Sequence, residues 1–315
     1  MMINTPICEM LGIKYPILQG GMAHISDAKL AAAVSNGGGL GIISAANGNL
    51  EWIEEQIDLA RTLTDKPFGV NIMLMAQNID AIAELVARKK VAVVTTGAGN
   101  PDKYIPMWKE AGIKVIPVVA SSALAKMVAR SGADAVIAEG GESGGHVGDL
   151  TTMALVPQVC DAVNIPVIAA GGIADGRGIA AAFMLGAQGV QIGTRFLAAY
   201  ECGINRVYKD KVLKAHDTST IVTGKRLGHP VRSLKTAFSR GYAKAEYTDI
   251  SDDDLENMAV GTLRAAVVDG DDKKGCFLAG QIAGLVNKEQ SSAEIIEEMF
   301  TEAETILNGA GKWVK

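Results

Sequence analysis

The sequence predicts an α/β chain: a (β/α)8 TIM barrel with a smaller, mainly helical C-terminal domain. Three observations predict it. Eight short apolar, β-branched runs recur at about 25-residue spacing through the first 200 residues, with helix-patterned segments between them. The runs are continuously apolar, as expected of parallel strands buried on both faces. The chain holds 36 glycines and only 5% aromatic residues, which suits many tight strand-to-helix turns. Eight βα units in about 200 residues match a barrel of this class.

The first run is Tyr15–Gln19 (YPILQ). After it, Ser26 is placed to cap the helix DAKLAAAVSN, and Gly37 to end that helix in the left-handed conformation. Leu40–Ser44 (LGIIS) is the second run. Asn49 caps LEWIEEQIDLARTL, whose Ile53, Ile57 and Ala60 share one face, and Pro67 blocks continuation. Phe68–Ile72 (FGVNI), Val91–Thr95 (VAVVT), Lys114–Val119 (KVIPVV) and Ala135–Ala138 (AVIA) follow. Pro166–Ala170 (PVIAA) and Gly189–Ile192 (GVQI) complete the eight.

Beyond about residue 200 the alternation stops. Residues 201–290 read as helices and loops without a strand series. The last segment, SSAEIIEEMFTEAETILNGAGK, reads as a helix, with Ser291 and Glu294 forming a capping box and Gly309 near its end. The expected organisation is a barrel over 1–200, a small helical or lid domain with a basic surface over 201–290, and a C-terminal helix over 291–315 packing on the barrel.

Composition bounds the function. With 48% hydrophobic and 21% charged residues in 315, the chain can bury a sizeable core. A net charge of -5 argues against a nucleic-acid binder. Cys8, Cys160, Cys202 and Cys276 are scattered without a CxxC pair, so neither a metal site nor a disulfide framework is indicated. The N-terminus lacks the pattern of a signal peptide, and no run of 18 apolar residues suggests a membrane span. The expected setting is the cytoplasm.

The ends of the runs carry the chemistry. Gln19, Ser44, Asn71, Thr95, Ser121, Glu139 and Thr194 are polar and sit at or just past an apolar run. In a (β/α)8 barrel such positions converge on the C-terminal face, where active sites lie. The turns after the seventh and eighth runs, AAGGIADG and IGTRF, are rich in glycine, which lets backbone N–H groups approach an anion. Gly171, Gly172, Gly193 and Thr194 are therefore candidates for a phosphate site; the alternative is two tight turns without a ligand.

The loop after the sixth run, AEGGESGGHVGDL, has five glycines in ten residues and embeds Glu139, Glu142, Ser143 and His146. Glu142 and His146 have the spacing of metal ligands on a helix, but Gly144 and Gly145 between them oppose a helix there. His146 is instead a candidate for proton donation or relay. Two further glycine-rich stretches are not dinucleotide fingerprints. NGGGLG precedes a strand, and TTGAGNP lacks the third glycine and runs into Pro101.

The segments GIKYPILQGGMA, GVNIM, VVTTGAGNP, AEGGESGGHVG, PVIAAGGIADG and VQIGTRF occur in that order. Together they resemble the family of FMN-dependent nitronate monooxygenases and flavoprotein enoyl-acyl carrier protein reductases. GHPVRSLK and LAGQIAGLV look closer to the reductase branch. The resemblance covers nearly the whole chain. It implies FMN contacts at Gly21, Met22, Asn71, Glu139, Ser143, Gly144 and Gly145, a phosphate grip at Gly171, Gly172, Gly193 and Thr194, and an active-site histidine at His146. Gln281 is placed near the flavin. The implied reaction is reduction of FMN by NADH or NADPH, followed by reduction of the C2=C3 bond of a trans-2-enoyl thioester on acyl carrier protein, as in bacterial type II fatty acid synthesis. A homodimer is expected, and a monovalent cation is worth testing as a further cofactor.

Residues 201–245 contain ten Lys or Arg and three acidic residues, a local balance of +7 in an acidic chain. Such a surface suits an acidic partner or a phosphorylated cofactor. The competing readings are a nitronate monooxygenase that oxidises alkyl nitronates with FMN and oxygen, and a flavin-binding protein without catalysis.

Overall fold

The structure, a computed structural model, describes residues 3–46 and 49–313. Eight parallel strands form the predicted barrel. They are β1 (Ile17–Gln19), β2 (Gly41–Ser44), β3 (Phe68–Met73), β4 (Val93–Gly97), β5 (Lys114–Val119), β6 (Val136–Glu139), β7 (Val167–Ala170) and β8 (Gly189–Ile192). The ladder runs β1-β8-β7-β6-β5-β4-β3-β2. A parallel bridge between Leu18 and Leu40 brings β2 back to β1. The buried Gln19 tightens that seam: its Oε1 accepts the Ile42 N–H at 3.1 Å.

Alternation along the strands sorts side chains between two cores. Leu18, Ile42, Val93, Ile116, Ile137 and Ile168 form one cluster, which Ile7 and Leu11 of helix Pro6–Leu11 join. The N-terminal helix thus shares the barrel's internal core. Ile17, Val136, Val167 and Val190 instead pack with the surrounding helices. Each such fully buried aliphatic side chain contributes roughly 1.5–3 kcal/mol.

Helix Leu50–Leu63 is capped by Asn49, whose side chain accepts the Trp52 N–H. The predicted capping box of helix Ser292–Asn308 is present, and Gly309 is its C-cap. That helix lies against helix Gly176–Met184, where the Gly176 N–H donates to Glu302 at 2.8 Å.

Two expected caps differ. Asp27, not Ser26, caps helix Ala28–Asn36, because Asp27 reaches the Leu30 N–H at 2.9 Å while the Ser26 hydroxyl is engaged in the loop after β1. Gly37 is right-handed; the left-handed residue is Gly38, with φ 93°. The NGGGLG stretch has a packing role: a β-carbon at Gly41 would lie 1.8 Å from the Ala31 carbonyl oxygen.

Residues 201–290 also contain strands that the pattern did not announce. Thr220–Thr223 pairs antiparallel with Val231–Leu234, which pairs in turn with Gly145–His146 of the glycine-rich loop. The strands are only four and two residues long, too short for a periodicity signal. Among the described residues, no helix is long and apolar enough to cross a membrane.

Candidate active site at the barrel mouth

The C-terminal ends of the strands open on a cavity of about 510 Å3. Its walls bring together Gly21, Met22, Asn71, Glu139, Ser143, Gly144, Gly145, His146, Gly193 and Thr194. These residues come from four separate strand ends and meet only because the barrel closes.

The loop after β1 is tied by Ser26. Its hydroxyl accepts from Gln19 Nε2 at 2.7 Å and from the Met22 N–H at 2.9 Å, and donates to the Gly20 carbonyl at 3.2 Å. This presses Gly21 onto the end of β3, where a β-carbon would stand 2.3 Å from Asn71 Cβ. Asn71 Oδ1 accepts from Thr95 Oγ1 at 3.0 Å, which fixes the amide.

The glycine-rich loop is held from three sides. Glu142 accepts from the Thr152 N–H at 3.0 and 2.9 Å and from Thr152 Oγ1 at 3.0 Å, at the start of helix Thr152–Cys160. Arg232 donates to the Gly141 carbonyl from Nε at 3.2 Å and Nη2 at 2.9 Å. Gly144 packs on the backbone of Ala279 and Gly280. The latter segment is anchored by Tyr208 Oη, which donates to the Leu278 carbonyl at 2.6 Å, and by Thr194 Oγ1, which accepts the Gly280 N–H at 2.9 Å.

Glu139 ends β6 inside the cavity. Burial pushes its carboxyl up to about 7; the nearby Ser143 hydroxyl counters part of that shift without making a hydrogen bond of normal length. His146 stands exposed at the mouth, opposite Val231 in the small sheet. Desolvation by the surrounding loop, and then the charge of His229, hold its imidazole below the usual histidine range, so the ring is mostly neutral at pH 7.

Gly171, Gly172 and Gln281 lie outside the lining. Gly171 and Gly172 form a left-handed turn after β7, with φ 87° and 74°; Gly171 backs onto Gly140 and Gly172 onto Glu142. Gln281 has an exposed side chain, while its N–H donates to the Glu142 carbonyl at 2.9 Å. Of the other strand-end polar residues, Gln19, Ser44 and Thr95 are buried structural groups, and Ser121 caps helix Ser122–Arg130.

Residues not singled out from the sequence also line the cavity. Gln191, a polar residue inside the buried β8, was the most legible signal. The Gly97–Gly99 turn, set aside as a false fingerprint, forms part of the wall, and Ala98 holds φ 58° there. His229 also lines it, next to Pro230, whose carbonyl accepts the Val147 N–H at 3.0 Å. Met73, Met75, Val118, Leu124 and Leu278 add apolar side chains to the lining.

The basic stretch divides. Lys209 is buried and donates to the Ala199 carbonyl at 2.7 Å, so it belongs to the interior. Lys211 is paired with Asp272. The exposed cations of the stretch include Lys214, Lys235 and Arg240.

The family model of nitronate monooxygenase matches residues 4–84 and 73–302. Among solved structures, FabK from Thermotoga maritima superposes with a TM-score of 0.97 at 50% identity, over 99% of this chain and 100% of that one. The (3aS,4S,5R,7aS)-5-hydroxy-7a-methyl-1-oxo-octahydro-1H-indene-4-carboxyl-CoA dehydrogenase of Mycobacterium tuberculosis is 37% identical, over 100% of both chains. A probable nitronate monooxygenase of Staphylococcus saprophyticus is 34% identical, over 98% of this chain and 100% of that one.

Proposed function

The chain belongs to the nitronate monooxygenase family of oxidoreductases, and we propose that it is an FMN-dependent enoyl-acyl carrier protein reductase using NADH or NADPH. The observation that carries this reading is the full-length likeness to FabK at 50% identity. The name of the mycobacterial relative, a dehydrogenase of a carboxyl-CoA, points to the same thioester chemistry.

The cavity suits a flavin beside an acyl chain. Ser143 Oγ is buried without a partner among the described residues, a polar group that a ring nitrogen or oxygen would satisfy. Asn71, Gln191 and Glu139 offer further polar edges. Gly193 lines the cavity with open space, its nearest neighbour to an added β-carbon being Met22 Sδ at 3.5 Å. We assign Gly193 and Thr194 to the phosphate end. Gly171 and Gly172 shape that end from behind by seating Glu142 and the loop it anchors. Gln281 acts in the same way, through its backbone.

When bound, FMN would supply the hydride taken up at the β-carbon of the enoyl thioester, and a proton from solvent at the α-carbon would complete the saturation of the C2=C3 bond. The protein's own residues orient and polarise. The neutral His146 ring donates a hydrogen bond to the thioester oxygen as negative charge grows there. Met73, Met75 and Leu124 provide an apolar wall for the acyl chain. Exposed cations of residues 201–245 attract the acidic carrier protein.

Anaerobic reduction of the bound flavin by NADH or NADPH, followed by a crotonyl thioester or an alkyl nitronate, tests the reading. Reoxidation by the thioester is expected. Oxidation of the nitronate with oxygen, and inertness toward the thioester, would assign the chain to nitronate oxidation instead.

A further inference from the structure

A second cavity, of about 660 Å3, lies between helix Arg206–Leu213 and the start of helix Ala237–Ala245. Among the described residues its lining is separate from that of the barrel mouth. Four cations face it: Lys211, Lys214, Lys235 and Arg240. The one carboxylate in the lining, Asp210, is already held by Arg206 at 2.7 Å. Lys211 is engaged by Asp272. Lys214, Lys235 and Arg240 are exposed and have no ion-pair partner among the described residues.

Three uncompensated cations around one concavity repel one another, and an anion placed among them removes that cost. Thr218 and Ser219 add hydroxyls to the wall, and the start of helix Ala237–Ala245 at Thr236 adds its positive end. The concave shape suits a small phosphate ester better than the broad face of a protein, which would leave the concavity unfilled.

The position of the cavity names the source of the phosphate. Leu234, in its lining, lies three residues along the strand from Val231, the partner of His146. That is about 10 Å at the strand rise. We propose that this cavity binds a phosphate ester of the arm that carries the thioester, with Lys214, Lys235 and Arg240 as the anion ligands. The assignment rests on the enoyl-thioester reading above.

Calorimetric titration of the FMN-loaded enzyme with coenzyme A, pantetheine and NADP+ tests it. Coenzyme A is expected to bind at least ~10-fold more tightly than pantetheine, an advantage that shrinks with salt. A Lys214→Gln, Lys235→Gln, Arg240→Gln variant, altered only at exposed side chains, should bind the two alike. Single Lys235→Gln and Arg240→Gln variants should each lose part of the advantage. Equal binding of both ligands by the unaltered protein, or an undiminished preference in the triple variant, would overturn the proposal. So would a triple variant that loses NADP+ affinity and keeps coenzyme A affinity, since the cavity would then serve the nucleotide. The enoyl-thioester reading fails by a different measurement, the absence of turnover of any enoyl thioester by the unaltered enzyme.

Discussion

Arg232 and Gly141 are joined by two hydrogen bonds, from the guanidinium Nε at 3.2 Å and Nη2 at 2.9 Å to one carbonyl oxygen. Arg232 also stands opposite Gly145 in the small sheet. One residue thus ties both halves of the loop that carries His146, its side chain holding Gly141 and its backbone pairing with Gly145. Arg232→Met should cost roughly 1.5–3 kcal/mol in denaturant unfolding, the range for charged hydrogen bonds. Arg232→Lys should recover only part of it, because an ammonium lacks the fork. Unfolding midpoints unchanged in Arg232→Met would show that the loop holds itself.

Gly144 meets the Ala279–Gly280 backbone so closely that a β-carbon would lie 2.6 Å from the Ala279 carbonyl carbon. Backbone cannot step aside as a side-chain tip can. Gly144→Ala should destabilise the protein by about 2 kcal/mol or more and lower flavin retention. Gly241, in helix Ala237–Ala245 with open space around it, is the control. Gly241→Ala should stabilise by roughly 0.5–1 kcal/mol. Similar melting shifts in the two variants would contradict the packing argument.

Gly193 presents the opposite case. A β-carbon there makes only an ordinary 3.5 Å contact with Met22 Sδ, so the protein itself tolerates a larger residue. Gly193→Val should fold normally and purify without flavin absorbance. Stoichiometric FMN in that variant would place the phosphate elsewhere.

Glu139 makes stability without flavin depend on pH. Its folded carboxyl is raised to about 7, so the folded chain holds a proton that the unfolded chain releases near its ordinary value. That contribution is fully present below the unfolded carboxylate range and is lost as pH rises through about 7. Glu139→Gln should flatten this part of the melting profile of flavin-free protein between the ordinary carboxylate value of 4.5 and about 7. An identical slope in variant and unaltered protein would remove Glu139 from the pH response.

His146→Ala should keep FMN and leave flavin reduction by NADH or NADPH near normal, while reoxidation by an enoyl thioester slows roughly 10²–10³-fold, the loss expected of one oxyanion donor. Because the ring is mostly neutral at pH 7, the unaltered enzyme should reoxidise at a rate nearly constant above the ordinary histidine range. Stopped-flow traces across pH check this. A rate falling steeply as pH rises there would make the imidazolium the acting form.

Much of the barrel was legible in the residues. Continuous apolar runs such as KVIPVV announce two-faced burial, and β5 and β8 occupy the runs read for them. His146, Asn71 and Gly193 were legible because barrel topology gathers strand ends on one face. The short ladder between Gly145–His146 and Val231–Arg232 was not, because a two-residue strand has no periodicity of its own. Nor was the burial of Lys209, whose long side chain turns inward to a carbonyl that the sequence does not place near it.

The sequence by itself determined the class of fold, the order of its strands and which loops carry polar groups, because these follow from local patterning and chain connectivity. Only the tertiary structure decided that Gly171, Gly172 and Gln281 lie outside the cavity lining, that Gly97–Gly99 joins its wall, and that Lys214, Lys235 and Arg240 share one concavity. Those relations depend on distances between residues far apart in the chain, which are set only when the barrel closes and its appended segments pack against its rim.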